Sequence, residues 1–325
     1  MELICPAGTP AALRAAVDAG ADAVYCGFRD ETNARNFPGL NFSREELTAG
    51  VAHAHRHGVK VLVAINTFAR AGAVDVWKRA VDAAAEAGAD ALIVADIGVL
   101  DYAVLHHPGQ RLHLSVQAAA ANPDAIEFYV GEFGVRRVVL PRVLSVPEIA
   151  AITKEISCET EVFVFGGLCV MEEGRCSLSS YATGESPNMN GVCSPASQVH
   201  YREQDGHLIS RLGAFTVNKF SVGEPAGYPT LCKGRFQTEH GAGYLFEDPV
   251  SLDATVMLPE LQKAGVTALK IEGRQRGRAY IERVVRSFRR TLAGLKEDIA
   301  APANDLVALT EGQSTTTGAY RKSWR

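Results

Sequence analysis

The sequence has no HExxH, no GxSxG and no GxGxxG after its first apolar run. Those absences remove the zinc-protease and serine-hydrolase machineries, and they disfavour a dinucleotide-binding open sheet. No apolar run reaches the length of a membrane-spanning helix. Neither sign of charge dominates: 33 basic and 37 acidic residues leave a net charge of -4. That balance gives no electrostatic case for non-specific binding to nucleic acid or to a membrane surface. Met1-Glu2-Leu3-Ile4 runs straight into a strand-like segment, leaving no room for a signal peptide, so a cytoplasmic chain is expected.

Cysteine is present, seven times in 325 residues, but never as a CxxC pair. In a reducing compartment a disulfide framework is not expected. Cys5 and Cys26 lie in apolar runs and read as buried small hydrophobes, and Cys158, just before a strand, reads as incidental. Cys169, Cys176, Cys193 and Cys232 differ, because they fall in polar, Gly- and Ser-rich sequence after the strand Val162–Phe165. Their spacing, C-x6-C-x16-C-x38-C, does not choose between a structural zinc and an iron–sulfur cluster. Both need thiolates, and Arg175, Lys233 and Arg235 beside Cys176 and Cys232 are expected to favour them.

The remaining sequence alternates short apolar runs with amphipathic segments. ELIC, AVYCG, VKVLVAI, ALIVA, LHLSV, RVVL, EVFVF and TALKIEG read as eight strands buried on both faces, as in parallel sheets. Helices begin at caps such as Ser43, Asn122 and Ser145, and three end in AGAD, AGAD and AGVT, with Gly before the next strand. Eight such units predict a (β/α)8 barrel, with a doubly wound sheet as the alternative. One domain is expected over residues 1–325. Residues 168–250, which break the alternation and hold hairpin signals at Asp205-Gly206 and Gly241-Ala242-Gly243, form a cysteine-bearing insertion before a helix over Ser251–Lys263. A long basic helix starts near Arg278, and the polar tail from Glu311 has Tyr320 and Trp324 as anchors.

Barrel enzymes carry their chemistry at the C-terminal ends of the strands. Those ends supply Asn33, Arg35, Asn66, Thr67, Asp96, Ser115, Gln117, Arg142, Lys270, Glu272 and Arg274. Any one of them also reads as a helix cap or loop hydrogen bond. Together, Arg35, Arg142, Lys270 and Arg274 suit an anionic ligand. His53, His55 and His57 read as a solvated helix face, and His106-His107 has no acidic neighbour in sequence.

MELICPAG, TNARNFPGLNFS, AINTFA, VVLPRVLS, the block Phe165–Pro195, GYPTLCKGR, KIEGRQR and TTTGAYRKSW together resemble the collagenase-like peptidase family (peptidase family U-32), over nearly the whole chain. The resemblance implies chemistry other than proteolysis. It implies the branch acting in oxygen-independent hydroxylation of the ubiquinone ring, with prephenate as the associated oxygen donor. A 4Fe–4S cluster would sit on Cys169, Cys176, Cys193 and Cys232. The implied partners are a UbiV-like paralogue, as a heterodimer, and a UbiT-like lipid-binding accessory protein. Other family members hydroxylate RNA bases, which is the alternative; a zinc-stabilised peptidase is a third. On this basis Arg35, Arg142 and Arg274 are expected to bind the donor. Asn66 and Gln117 would bond its hydroxyl or a quinol oxygen, with Lys270 and Glu272 as further catalytic candidates.

Overall fold

The structure is a computed structural model that describes residues 1–169, 176–187, 193–296, 306–310 and 314–321. Seven parallel strands follow one another in space in chain order: β1 (Glu2–Pro6), β2 (Ala23–Gly27), β3 (Lys60–Ile65), β4 (Ala91–Val94), β5 (Leu112–Leu114), β6 (Arg137–Val139) and β7 (Glu159–Gly167). Six helices return the chain between them: α1 (Pro10–Asp18), α2 (Arg44–Arg56), α3 (Asp75–Glu86), α4 (Ile97–His106), α5 (Pro123–Phe133) and α6 (Val146–Glu155). After β7 come α7 (Ser177–Thr183), the antiparallel sheet of β8 (Val199–Gln204), β9 (His207–Leu212) and β10 (Phe215–Phe220), and the hairpin β11 (Arg235–Thr238) and β12 (Gly241–Tyr244). The chain then re-enters through β13 (Ser251–Asp253) and α8 (Leu258–Lys263) to β14 (Ala268–Ile271) and α9 (Arg278–Lys296). β14 pairs in parallel with both β7 and β1 and closes an eight-stranded barrel, as the alternation predicts.

Local chemistry sets the boundaries. Thr9, Ser43, Asp96 and Asn122 each accept a backbone N–H of the following helix's first turn, and Ser43 and Ser145 form capping boxes with Glu46 and Glu148. At the AGAD and AGVT ends, Gly20, Gly88 and Gly265 take φ of 97°, 79° and 83°, the left-handed conformation that stops the helix. The continuous apolar strands are buried on both faces, outward against the helices and inward against a lumen of mostly small residues. Ala23, Ala64, Ala91 and Ala268 share that lumen with Ile4, Tyr25, Leu62 and Ile93. Small lumen residues leave room for the long polar side chains of Arg137, Glu161 and Lys270, all buried there. No helix among the described residues is long and apolar enough to cross a membrane.

Three sequence expectations are corrected. Ser251–Asp253 is a strand, not the start of a helix: it pairs antiparallel with Phe165–Gly167, the part of β7 that outruns its neighbours, and α8 begins only at Leu258, just before Pro259. LHLSV is strand only to Leu114, because the Ser115 hydroxyl turns back to accept the Gln117 N–H and starts a 3₁₀ turn. The second hairpin of the insertion turns at Glu239-His240, so Gly241 and Gly243 lie in β12. The first hairpin turns at Asp205-Gly206 as expected, both at positive φ. In the tail, the buried Tyr320 donates its hydroxyl to the Phe163 carbonyl, whereas Trp324 and Glu311 lie outside the described residues.

Candidate active site

At the C-terminal mouth of the barrel a chamber of about 150 Å³ is enclosed between the strand ends and the insertion. Asn66, Ser115 and Gln117 line it, with Arg35, Arg142, Arg274, Lys270 and Glu272, and with all four insertion cysteines. Residues at or beyond the ends of five strands (β2, β3, β5, β6 and β14) and from the insertion that follows β7 therefore meet in one place. Thr67 and Asp96 do not: Thr67 bonds the Glu31 carbonyl and the Trp77 indole, and Asp96 caps α4 and the Ala69 N–H. Asn33 is fully buried behind the wall, where its Oδ1 accepts from the Arg35 N–H at 2.9 Å and from Arg274 Nη1 at 3.0 Å. It holds two of the three arginines in place. A Cβ on Gly27 would stand 2.8 Å from the Asn33 side chain and 2.9 Å from Arg274 Nη1, so only glycine fits at the end of β2.

The cations are held in different ways. The Arg142 guanidinium lies over the Phe163 ring, 3.4 Å from its centroid. Arg35 Nε meets Glu272 Oε1 at 3.4 Å. Lys270 Nζ sits 3.9 Å from the centroid of the Tyr25 ring and bonds Glu161 Oε1 at 2.5 Å. Burial pushes the Lys270 ammonium down, with the Glu161 carboxylate working against it. Burial likewise lowers Arg274, to about 10, which leaves it charged at neutral pH. Burial would raise Glu272, but Arg35, Arg142 and the Gly167 N–H outweigh it and hold the carboxyl below its usual range. Four cations and one carboxylate thus line the chamber among the described residues, with Glu161 directly beneath. The arginines do not pair with Glu161, which is occupied by Lys270 and Arg137.

Asn66 accepts the Ala34 N–H and donates to Ser115 Oγ, which fixes its amide. Gln117 is 6% exposed, and its Oε1 has no hydrogen-bond partner among the described residues. A buried amide oxygen left open in a cavity wall is an acceptor awaiting a ligand hydroxyl or a water.

The cysteines come from four separate places: just beyond β7 (Cys169), the N-cap of α7 (Cys176), the loop before β8 (Cys193) and a 3₁₀ turn (Cys232). Sγ of Cys176 accepts the Ser179 N–H at 3.4 Å, and the Ser179 hydroxyl donates to the Cys193 carbonyl. One tetrahedral zinc would bring thiolates to about 3.8 Å of one another. Among the described residues the only group of three or more metal-ligating side chains within 4.8 Å is Asp18, His53 and His57, so the four thiols are spread more widely. The all-thiol donor set suits a thiolate-bound group. The expectation that neighbouring cations favour thiolates is corrected for the bare thiols. Burial, followed by the mutual repulsion of the other three cysteines, pushes Cys232 up to about 12, and Lys233 only partly offsets this. Burial also raises Cys176. Arg235 is turned away to Glu224 at 2.8 Å, and Arg175 lies outside the described residues.

Outside the mouth, Cys5 and Cys26 are fully buried and Cys158 is half-buried, as expected. His107, without an acidic neighbour in sequence, gains one from α3: Asp82 lies 2.7 Å from its Nε2. His55 similarly meets Asp90 at 2.8 Å, and His53 is only half exposed, so the solvated-face expectation holds for part of that triplet. The residues that sequence reading missed are Tyr25 and Phe163. Their positions on inward-facing strand sites were the available signal.

The model of Peptidase family U32 matches residues 8–318. The "tRNA hydroxylation protein P" of Escherichia coli K12 is 34% identical over 313 residues, covering 90% of this chain and 67% of that protein. The "23S rRNA 5-hydroxycytidine C2501 synthase" of the same organism is 29% identical, covering 97% of this chain and 42% of that protein. A "Collagenase" of Porphyromonas gingivalis is 28% identical, covering 90% and 65%. The chain therefore spans about two thirds of the length of the first and third of these relatives, and less than half of the second. With the match running through the barrel and its insertion alike, the chain belongs to peptidase family U32.

Proposed function

We propose that the chain is the iron–sulfur subunit of an oxygen-independent hydroxylase whose oxygen donor is a small dicarboxylate such as prephenate. The observation that carries this is the convergence of four cysteines and three arginines on one chamber. Arg142 and Arg274, fixed by Phe163 and Asn33, present planar forks suited to carboxylates. Asn66 and Gln117 face the same space and suit the donor's ring hydroxyl. Cys169, Cys176, Cys193 and Cys232 would hold a 4Fe–4S cluster, which when bound supplies electron transfer beside the donor. In the net reaction the donor's C–O bond breaks and its hydroxyl replaces a ring hydrogen; the ring gives up that hydrogen as a proton and two electrons, and the donor takes up both.

The acceptor we favour is the ring of a ubiquinone precursor. Tyr181, Tyr201, Phe215, Val222, Tyr228, Leu245 and Phe246 are exposed large apolar or aromatic residues, all within or beside the insertion. That surface suits an apolar substrate, a UbiV-like partner or a UbiT-like lipid carrier better than a polyanion. The second reading, an RNA base as acceptor, is supported by the names of the relatives. The peptidase reading has no catalytic motif behind it. Anaerobic purification with iron and sulfide analysis, followed by a donor-dependent assay with and without a UbiV-like partner, tests the proposal. Absence of stoichiometric iron would overturn it, and hydroxylated RNA without hydroxylated quinone precursor would select the alternative.

A further inference from the structure

The HAHRH run of α2 takes no part in the chamber, yet two of its histidines meet a carboxylate from the neighbouring helix. His53 and His57 are separated by one helical turn and share one face of α2. Asp18 is the last residue of α1, which packs on α2 through Leu13 and Gly50. One ligating atom from each of the three lies within 4.8 Å of the others. His55 is outside the group and turns to Asp90 instead. Helices of the barrel run back towards its floor, so the cluster lies on the outer surface at the end opposite the chamber.

Each of the three side chains is set in a way that favours a cation. His57 donates through Nδ1 to the His53 carbonyl at 2.9 Å, which leaves its Nε2 lone pair open. A backbone carbonyl on the second ring nitrogen is the usual means of orienting a ligating imidazole. Nε2 of His53 is buried and has no hydrogen-bond partner among the described residues. The two rings stand 4.6 Å apart between centroids. Asp18 sits at the negative end of the α1 dipole, where a carboxylate is unfavourable unless a cation stands beside it. His53 in the last turn of α2 and His57 at its C-cap place a second negative helix end at the same spot. Arg14 and Arg56 act against a cation there, but among the described residues neither forms an ion pair with Asp18.

We propose that Asp18, His53 and His57 form a binding site for a divalent transition cation of the zinc type, which clamps α1 to α2. Two imidazoles and one carboxylate make a mixed nitrogen and oxygen set, which selects such ions over magnesium or calcium. Two histidines one turn apart on a helix with one acidic ligand are a sufficient protein set, with water completing the shell. This site differs from the cysteines in its donors and in its end of the barrel, and it stands whether or not the hydroxylase reading holds. Because its ligands come from two helices, the folded chain holds the ion more tightly than the unfolded one, and the ion adds stability by mass action.

The test is zinc uptake by anaerobically purified protein, measured by equilibrium dialysis and elemental analysis. The original chain is compared with His53→Ala, His57→Ala, Asp18→Asn and His55→Ala. Zinc taken up by the cysteines is common to all these chains, so the differences between them read the helix site alone. His53→Ala and His57→Ala are each expected to take up about one equivalent less than the original chain. Asp18→Asn is expected to bind that equivalent roughly tenfold more weakly. His55→Ala is expected to keep it, and excess magnesium to leave it in place. Zinc should also raise the unfolding temperature of the original chain and of His55→Ala by more than that of His57→Ala. Asp18 and His57 are exposed, so their variants test the site even where His53→Ala disturbs the packing. Equal zinc uptake by the original chain and His57→Ala would overturn the site. A loss in His55→Ala as large as that in His57→Ala would overturn it too, marking adventitious binding to the histidine run.

Discussion

Both ends of this barrel are charged, but they are charged differently. At the floor Arg137, 5% exposed, meets Glu2 and Glu159 at 2.5 Å each and Glu161 at 3.4 Å. Lys60 reaches Glu2 at 2.8 Å, and Arg111 reaches Glu159 at 2.7 Å. His113, driven neutral by burial and by Arg137 and Arg111, accepts from Arg111 through Nε2. Every floor cation thus has a protein partner. At the mouth four cations share a single lining carboxylate. Charge paired within the barrel floor serves the fold, and cations gathered on the wall of a cavity suit an anion that comes and goes.

The comparison breaks most completely at the cysteines. Replacing any of Cys169, Cys176, Cys193 or Cys232 with Ala should remove most iron and sulfide from anaerobically purified protein. Cys5→Ala, Cys26→Ala and Cys158→Ala should keep both. Full iron in one of the first four, measured colorimetrically, would remove that residue from the ligand set.

Next comes the charge shared by the two ends. Glu161→Gln leaves Lys270 and Arg137 buried without their common carboxylate, a change that costs about 3–5 kcal/mol. Urea unfolding midpoints should fall accordingly. A loss below about 1 kcal/mol would mean that the lumen relaxes or that solvent reaches it.

The mouth arginines should behave in the opposite way. Arg142→Gln and Arg274→Gln are each expected to weaken donor binding by roughly ten- to a hundred-fold, or about 1.5–3 kcal/mol, with iron content intact. Normal binding in both, with normal activity at limiting donor, would show that these cations serve the fold as the floor cations do.

The smallest effect is at Glu2. Burial would raise its pKa, but hydrogen bonds from Lys60 and Arg137 win and bring it from 4.5 to about 2. A depressed carboxylate contributes stability above its unfolded pKa and loses it as pH falls through the folded one. Glu2→Gln should therefore flatten the decline in stability between pH 4.5 and 2, read by thermal unfolding across that range. Equal acid sensitivity in the variant and the original chain would place the loss elsewhere on the floor.

How much of this was legible beforehand depended on range. Helix caps at Ser43, Asn122 and Ser145, the glycine stops, and the eight strands follow from neighbours a few residues apart, so they could be read directly. Ser251–Asp253 could not, because its strand exists only by pairing with the overhang of β7, 84 residues earlier at Gly167. The polar strand ends were identified as a set, but the set did not reveal that Thr67 and Asp96 would be used as a structural anchor and a cap. Nor did it show that Asn33 would hold the arginines from behind.

The sequence by itself determined the barrel, because period and capping are local properties of the chain. It also marked out the four cysteines by their polar, Gly- and Ser-rich setting, and the chamber brings them together. Only the tertiary structure decided which cations meet carboxylates in the floor and which line the chamber. Lys270 and Glu161 are 109 positions apart, Arg35 and Glu272 are 237 apart, and neither pair exists until β14 closes the ring. Charge pairing acts through space over a few ångströms, and closure of the barrel sets those distances.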